Sequence, residues 1–347
     1  MSTGIVISQL HAAHDAAGHP EHAARLSAVI AALDASGLRP ALRELAPLLA
    51  TEEQLLAVHS ATMVTRVRQA SMVPGTRIDG DTYTTVGSWD AARMAAGCAI
   101  QATAAVWRGD VANAFALMRP PGHHATPTQS MGFCLFNSIA VAAQHARREL
   151  GAARVAIVDI DVHHGNGSQD CFYSDPYVLF CSLHGYGSRF YPGTGGTGEI
   201  GSGAGRGTTL NAPLPAGTGD TGALRVLDAL FAPALRRFAP NIILVSAGFD
   251  GHWADPLGPL TLSVAGYAAL ITRLHALATE LCGGKLVLCL EGGYNLDALA
   301  ACVIAALRVL LGQDVGEDPL GSAPYREPDI TELVARIART HPLLEDL

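Results

Sequence analysis

The chain has 347 residues, of which 49% are hydrophobic and 16% charged, so it can bury a large core. The formal net charge of −8 indicates no basic surface for nucleic acid or anionic lipid. There is no run of 18 apolar residues, no signal-peptide pattern and no Cys-x-x-Cys pair among the seven cysteines. We therefore expect a cytoplasmic protein with reduced thiols and no membrane partner, and the alanine- and glycine-rich composition favours a bacterial source.

Short apolar segments alternate along the chain with longer segments of helical spacing. The predicted strands span residues 5–7, 114–118, 155–159, 178–183, 242–245 and 286–290. The predicted helices span residues 22–35, 51–70, 88–107, 137–150, 221–238, 264–281 and 296–311. This alternation predicts an α/β fold, a single-domain open parallel sheet flanked by helices. The glycine-rich residues 186–207 are long enough for a functional loop, and the charged segment from about 314 is expected to be a loosely attached tail.

Five of the predicted strands end in polar or glycine-rich clusters. Ligands of open α/β sheets bind at the carboxyl ends of the strands, so these clusters should meet at one edge of the sheet. The five clusters are Arg119-Pro120-Pro121-Gly122-His123-His124, Asp159-Ile160-Asp161-Val162-His163, Ser182-Leu183-His184, Ser246-Ala247-Gly248-Phe249-Asp250 and Glu291-Gly292-Gly293-Tyr294.

Two carboxylates and one imidazole among these clusters suit a metal ion. Asp161 and His163 lie two residues apart, so in an extended chain they point to the same side. With Asp250 they make a set of three ligands, the number typical of catalytic zinc, which keeps an open position for water. Magnesium or manganese would also accept such hard ligands.

The adjacent His123 and His124 suit proton transfer. Asp159, if it contacts His123, would favour the charged imidazolium, whereas Asn166, if it contacts His124, supports charge less. His124 is then the general base and His123 an electrostatic helper. The competing interpretation is a histidine pair that only satisfies hydrogen bonds within a turn.

Three aromatic residues suit the same edge of the sheet. Tyr294 follows two glycines, and its hydroxyl could donate a hydrogen bond to a developing oxyanion, although a plain turn tyrosine is the alternative. Phe133 and Tyr191 could form the walls of a narrow apolar channel. In isolation, packing in the core is the better explanation of both residues.

Six motifs, RPPGHHA, GFCLFN, VDIDVHHGNG, PGTGG, SAGFD and LEGGYN, follow one another between residues 119 and 295, and the similarity to which they belong runs over about residues 4–311. In sequence and order they resemble the zinc-dependent histone deacetylase superfamily, which includes bacterial deacetylase-like amidohydrolases and acetylpolyamine amidohydrolases. HHGNG and SAGFD are similar to its class II branch. The resemblance implies the arginase–deacetylase fold and a zinc-dependent hydrolase of acyl-lysine. Arginase chemistry is disfavoured, since VDIDVHHGNG lacks the extra ligands of a second manganese.

The resemblance also implies roles for individual residues. Zinc ligands are Asp161, His163 and Asp250. Catalytic residues are His123, His124 and Tyr294, supported by Asp159 and Asn166. Phe133 and Tyr191 would form the walls of an acyl-lysine tunnel, with Gly132, Leu257 and Gly292 nearby. Tyr191 stands where the family usually has phenylalanine, so the width or polarity of the tunnel can differ from the family's. Carbonyl-rich potassium sites are implied at Asp159, Asp161, His163, Ser182 and Leu183 and at Phe172, Asp175 and Val178.

Arg25 matches a family arginine near the inner pocket, with a solvated helix residue as the alternative. The substrate remains open between acyl-lysine in a peptide or protein and a small acylated amine. Polyamine specialists need an acidic gatekeeper, but Leu257, seven residues after Asp250, is apolar, and only a short segment separates Ile7 from HPE. Both points favour acyl-lysine over acetylpolyamine. A non-catalytic acyl-lysine binder is the alternative from another class. Acyl chain length and oligomeric state stay open.

Overall fold

The computed structural model describes residues 2–187 and 189–345. In this part of the chain all eight strands form one parallel sheet with the order β2-β1-β3-β8-β7-β4-β5-β6. The strands are β1 (Thr3–Ile7), β2 (Leu42–Glu44), β3 (Asn113–Leu117), β4 (Val155–Asp159), β5 (Val178–Gly185), β6 (Thr209–Leu214), β7 (Ile242–Ala247) and β8 (Leu286–Leu290). The predicted open parallel sheet is confirmed.

Helices cover both faces of this sheet. They are α1 (Ala24–Ala35), α2 (Glu52–Leu56), α3 (Ala61–Ala70), α4 (Ser88–Arg108), α5 (Ser138–Arg148), α6 (Asn166–Phe172), α7 (Asp220–Val226), α8 (Ala232–Phe238), α9 (Val264–Cys282), α10 (Leu296–Leu310) and α11 (Thr331–Thr340). Along β8, Leu288 faces one core while Val287 and Cys289 face the other. Burial on both faces explains why the strands are continuously apolar. None of the helices described is long and apolar enough to cross a membrane.

The two outermost strands were not predicted from the sequence. Only three residues make up β2, and Arg43 and Glu44 within it are exposed. The other edge strand, β6, contains Asn211 and Pro213 instead of a continuous apolar run. Proline lacks an N–H donor and is tolerated at an edge, where one side of the strand has no partner. Both edge strands therefore lack the continuous apolar run from which the other strands were predicted.

Helix boundaries differ from the predictions in three places. The helix predicted over 51–70 is broken into α2 and α3, because the Ser60 side chain caps a new helix by accepting a hydrogen bond from Met63 N at 3.3 Å. The helix predicted over 221–238 is continuous but contains a wide π turn at Leu227–Phe231, just before Pro233. Helix α6 lies between the predicted strands 155–159 and 178–183, where no helix was predicted.

The segment after residue 313 packs more firmly than its charged composition predicts. Ile330, Val334 and Ile337 recur at helical spacing and are buried in the main core. His341 is also buried, with its Nε2 2.7 Å from the Thr209 carbonyl oxygen. The apolar stripe of α11 thus attaches this segment to the sheet, and the expected loose tail is not found among these residues.

Candidate active site

The five polar clusters meet because their strands are neighbours. The sheet places β3, β8, β7, β4 and β5 side by side in its centre. At the carboxyl end of β4, Asp159 is in register with Ser246 on one side and Ser182 on the other. The strand order therefore brings the five clusters together at one edge of the sheet, as predicted.

Asp161, His163 and Asp250 bring three ligand atoms within 4.8 Å of one another. His163 Nδ1 lies 3.2 Å from Asp161 Oδ1 and 3.2 Å from Asp250 Oδ2. Other oxygens of the carboxylates are held by the backbone: Gly292 N donates to Asp161 Oδ2 at 2.9 Å, and Val162 N donates to Asp250 Oδ1 at 2.9 Å. Two buried carboxylates and an imidazole directed at one point fit a divalent cation, with the ligand number of catalytic zinc.

Two glycines make room for these carboxylates. A Cβ atom at Gly248 would overlap Asp161 Oδ2, and one at Gly292 would overlap Asp250 Oδ2. Any larger residue at either position would displace one of these carboxylates. Gly292 was predicted to line the substrate channel, but the structure places it behind the ligands, outside the lining of the cavity described below.

The paired histidines have the different partners that the sequence suggested. His123 Nδ1 lies 3.0 Å from Asp159 Oδ2, and His124 Nδ1 lies 2.7 Å from Asn166 Oδ1. Burial opposes charge on His123, but Asp161 and Asp159 outweigh it and raise the pKa of His123 well above its usual value. Burial and the positive charges of His123 and His163 lower the pKa of His124 well below 6.5. One imidazole therefore favours the charged form and its neighbour the neutral form.

Asn166 also selects a tautomer of His124. Its amide oxygen accepts a hydrogen bond, so the proton of neutral His124 lies on Nδ1. The lone pair on Nε2 is then free to accept a proton. Both rings line the cavity in front of the metal ligands, with their centroids 4.0 Å apart.

Tyr294 is held from two sides. Asp255 Oδ2 accepts hydrogen bonds from Tyr294 N at 2.6 Å and from Asn295 N at 2.9 Å. The Arg25 guanidinium lies 4.8 Å from the tyrosine ring centroid, and its Nε donates to the Gly293 carbonyl at 2.6 Å. Arg25 is only 1% exposed, so the alternative of a solvated helix residue is wrong. The tyrosine and its turn are thus fixed by buried charged groups.

Four residues predicted for the substrate tunnel, Gly132, Phe133, Tyr191 and Leu257, line one cavity of about 290 Å³. His123, His124, His163 and Tyr294 line the same cavity, so it leads to the metal ligands. The Tyr191 ring stands edge-on to the His124 ring with 5.0 Å between centroids. Apolar and aromatic side chains thus line the same cavity as groups that can move protons.

A tight turn presents Phe133 to this cavity. Met131 and Cys134 exchange backbone hydrogen bonds of 3.1 and 3.0 Å across Gly132 and Phe133. These two central residues have φ values of 56° and 67°, the left-handed values of a type I′ turn. Such a value is unusual for phenylalanine and is typical of functional sites where the surroundings enforce it. The turn places the Phe133 ring edge-on to Tyr294 at 5.8 Å.

Several residues of this region were not identified from the sequence. Asp81 and Arg189 line the cavity, although no predicted strand leads to either. Glu21 pairs with Arg25 four residues later, a spacing that was not used, and Asp255 contacts Tyr294 from 39 residues away, where no local motif reveals it. Glu291 stands in LEGGYN, where its position directly after a strand was noted but no role was assigned.

Glu21 neutralises two arginines that support the site. It is fully buried and bonds to Arg119 through Oε1–Nε at 2.6 Å and Oε2–Nη2 at 2.9 Å, and to Arg25 Nη1 at 3.1 Å. Burial opposes its charge, but Arg119 and Arg25 outweigh it and lower the pKa of Glu21 to about 2. Arg25 in turn holds the Tyr294 turn, so this carboxylate supports the site indirectly.

Glu21→Gln is expected to lower the free energy of unfolding at pH 7 by about 3–5 kcal/mol, because two buried guanidinium groups lose their counter-charge. The pKa of Glu21 is depressed on folding, so its stabilisation is complete above 4.5 and disappears as the pH falls toward about 2. Urea denaturation of both proteins at several pH values checks this. The exposed Glu53→Gln serves as control, and an equal effect of both substitutions at pH 7 would contradict the prediction.

The residues implied for potassium form two groups. Asp159 and Ser182 are register neighbours on β4 and β5. In the second group, Asp175 N donates to the Phe172 carbonyl at 2.9 Å, and Thr208 Oγ1 donates to the Asp175 carbonyl at 3.1 Å. Members of each group therefore lie close to one another.

Comparison with known proteins identifies the class. The model of the histone deacetylase domain matches residues 19–310. Histone deacetylase 14, chloroplastic, of Arabidopsis thaliana is 43% identical over 321 residues, covering 87% of this chain and 75% of that protein. The histone deacetylase-like amidohydrolase of Pseudomonas aeruginosa is 41% identical over 308 residues, covering 88% and 80%.

A solved structure agrees with these matches. The crystal structure of the HDA15 HD domain aligns with a TM-score of 0.90 and 36% identity, over 99% of this chain and 98% of that one. The fold is therefore the arginase–deacetylase fold. The chain belongs to the histone deacetylase family, among relatives named deacetylase and amidohydrolase.

Proposed function

We propose that this chain is a zinc-dependent amidohydrolase that removes acetyl or other acyl groups from lysine side chains or related acylated amines. The observation that carries the proposal is the convergence of three metal-ligand atoms, two histidines of opposite charge preference and Tyr294 on one cavity. Zinc bound by Asp161, His163 and Asp250 would activate water and polarise the substrate carbonyl.

The remaining chemistry belongs to the side chains. His124 Nε2 takes a proton from the attacking water, which its lowered pKa and its tautomer permit. His123 in its charged form stabilises negative charge as the carbonyl is attacked. The Tyr294 hydroxyl donates to the same developing oxyanion, and the proton finally passes to the departing amine. Phe133 and Tyr191 keep water from the aliphatic part of an acyl-lysine.

For the substrate we propose two candidate classes, which the cavity lining distinguishes only in part. Leu257 is apolar, as expected for an acyl-lysine enzyme, but Asp81 adds a carboxyl group to the cavity lining from another part of the chain. That carboxyl group could accept a peptide N–H or hold a second cationic amine. Acyl-lysine in a peptide or protein is our first candidate, and an acetylpolyamine is the alternative that Asp81 favours.

A hydrolysis screen tests the proposal. The zinc-loaded protein is offered acetyl-lysine peptides, longer acyl-lysine peptides and acetylpolyamines, and kcat/KM is compared with that of an Asp250→Ala control. Turnover of one class above the control supports the proposal and names the class. Binding of acyl-lysine peptide without turnover of any substrate would instead indicate a non-catalytic binder.

Tyr294→Phe is expected to lower kcat on the order of 10²-fold, the usual effect of losing one oxyanion donor. KM should change less, because the hydrogen bond strengthens as charge develops on the oxygen. Steady-state kinetics with an acetyl-lysine peptide measures both, and zinc analysis and hydroxamate binding should match the wild type. A wild-type rate would make Tyr294 a plain turn residue. Tyr325→Phe removes an exposed hydroxyl outside the cavity lining and is the control, which should keep the wild-type kcat.

We extend the proposal to one or two potassium ions at the groups described above, and to a cytoplasmic location. For location, two plant relatives carry the word chloroplastic in their names, so the compartment of this chain is best tested directly. Replacing potassium with sodium in the assay tests the cation proposal. A rate and an unfolding temperature that are equal in both salts would contradict it.

A further inference from the structure

Glu291 is a fully buried carboxyl group with no part in the chemistry proposed above. It follows β8 directly and turns toward the histidine pair. Its Oε2 accepts hydrogen bonds from Gly122 N at 2.6 Å and from His123 N at 3.2 Å, while Oε1 lies 3.5 Å from Ser246 Oγ. One side chain therefore binds two successive backbone N–H groups of the turn that carries the catalytic histidines.

The backbone around Glu291 connects this side chain to the rest of the site. Its own N–H donates to the Ala247 carbonyl on β7 at 3.1 Å, and its carbonyl accepts from Arg25 Nη2 at 2.5 Å. The following residue, Gly292, donates to Asp161 Oδ2. Glu291 thus touches the strand leading to Asp250, the histidine turn and the arginine that holds the Tyr294 turn.

A carboxyl group at this point is costly. It has no contact with solvent and stands near Asp159 and Asp161, so burial and their charges raise the pKa of Glu291 to about 7, against the pull of His123. Buried polar groups are retained where they satisfy other buried groups. The two N–H groups of Gly122 and His123 are the partners that need this acceptor.

We infer that Glu291 is a positioning residue that keeps His123 and His124 in place relative to the metal ligands and Tyr294, by accepting the N–H groups of Gly122 and His123. The inference rests on the proposed function for its kinetic consequence. Its structural part, the restraint of one turn by one carboxyl group, can be measured in the absence of metal and substrate.

Three substitutions separate geometry from charge. Glu291→Gln keeps an acceptor oxygen in place, Glu291→Asp keeps the charge but withdraws the oxygen by one methylene, and Glu291→Ala removes the acceptor. We expect kcat to fall on the order of 10²-fold in the alanine variant and about tenfold in the aspartate variant, since misplacement by 1 Å can cost about 10²-fold. The glutamine variant should remain within about threefold of wild type, and KM should stay within about twofold in all three.

Amide hydrogen exchange of the metal-free protein gives the second measurement. The peptide containing residues 119–125 should exchange faster in the alanine and aspartate variants and at the wild-type rate in the glutamine variant. This readout does not depend on zinc or on a substrate. If exchange behaves as expected but no variant or wild type hydrolyses any acyl substrate, the proposed function fails while the positioning role stands.

Leu288→Ala is the matched control, because Leu288 is buried on the same strand but faces the core. It should lower the unfolding temperature without lowering kcat of the folded, zinc-loaded protein. A wild-type kcat in Glu291→Ala would overturn the inference. If that variant does not fold, the kcat values of the aspartate and glutamine variants are compared instead. An aspartate variant as active as the glutamine variant, with unchanged hydrogen exchange at residues 119–125, would also overturn the inference.

Discussion

Replacing Asp250 with alanine is expected to abolish zinc binding and turnover together. The substitution removes one of the three proposed ligands, leaving Asp161 and His163 as an incomplete site. The stability of the metal-free variant is measured alongside, because the substitution relieves repulsion with Asp161 but leaves Val162 N and His163 without their partner. Elemental analysis of the dialysed protein and an acetyl-lysine peptide assay measure the two losses on the same sample.

Two further variants make this result interpretable. Asp250→Asn retains the oxygen that accepts from Val162 N and so tests loss of the ligand charge with less change in structure. Asp314→Ala removes an exposed carboxylate and should leave zinc content and activity unchanged. Full zinc occupancy in Asp250→Ala would rule out the proposed ligand set, whatever happens to activity.

His124→Ala is expected to lower kcat by about 10²–10⁴-fold while zinc content stays at the wild-type level, because the general base is lost and the ligands remain. His123→Ala should also lower kcat, through weaker stabilisation of the transition state. Both effects are measured with saturating acetyl-lysine peptide on samples matched for zinc. A near-normal kcat of His124→Ala at pH 7–8 would exclude this residue as the base.

The acid side of the pH profile gives an independent check on His124. A general base must be neutral, and burial with the charges of His123 and His163 lowers the pKa of His124 well below 6.5. Falling pH should therefore leave kcat unchanged down to about 6.5 and reduce it only below that value, where His124 gains a proton. A decline that begins above pH 7 would contradict this assignment.

Many features of the site could be predicted because they depend on short stretches of sequence. Each predicted strand is an apolar run, and its polar end marks the edge of a parallel sheet where side chains meet. Asp161, His163 and Asp250 therefore converge as predicted, as do His123, His124 and Tyr294. The contacts Asp159–His123 and Asn166–His124, on which the sequence made the two histidine roles conditional, are both present in the structure.

Edge strands and helix breaks were not predictable in the same way. An edge strand has no hydrogen-bond partner on one side and can therefore contain a residue without an N–H donor. Pro213 is such a residue, and together with Asn211 it interrupts the apolar run of β6. The charged tail contains an apolar stripe of Ile330, Val334 and Ile337. This stripe stabilises the tail only by packing against the core that it covers. Composition alone therefore predicts that such a segment is loosely attached.

By itself the sequence determined the six inner strands of the sheet, the metal-ligand candidates and the histidine pair, because each depends on local pattern and strand direction. Only the tertiary structure decided which buried charges support them. Glu21 meets Arg119 across 98 residues, Tyr294 meets Asp255 across 39, and Glu291 meets Gly122 across 169. Such pairings follow from strand order and packing, since a charge taken out of water must be matched by whichever partner the fold brings to it.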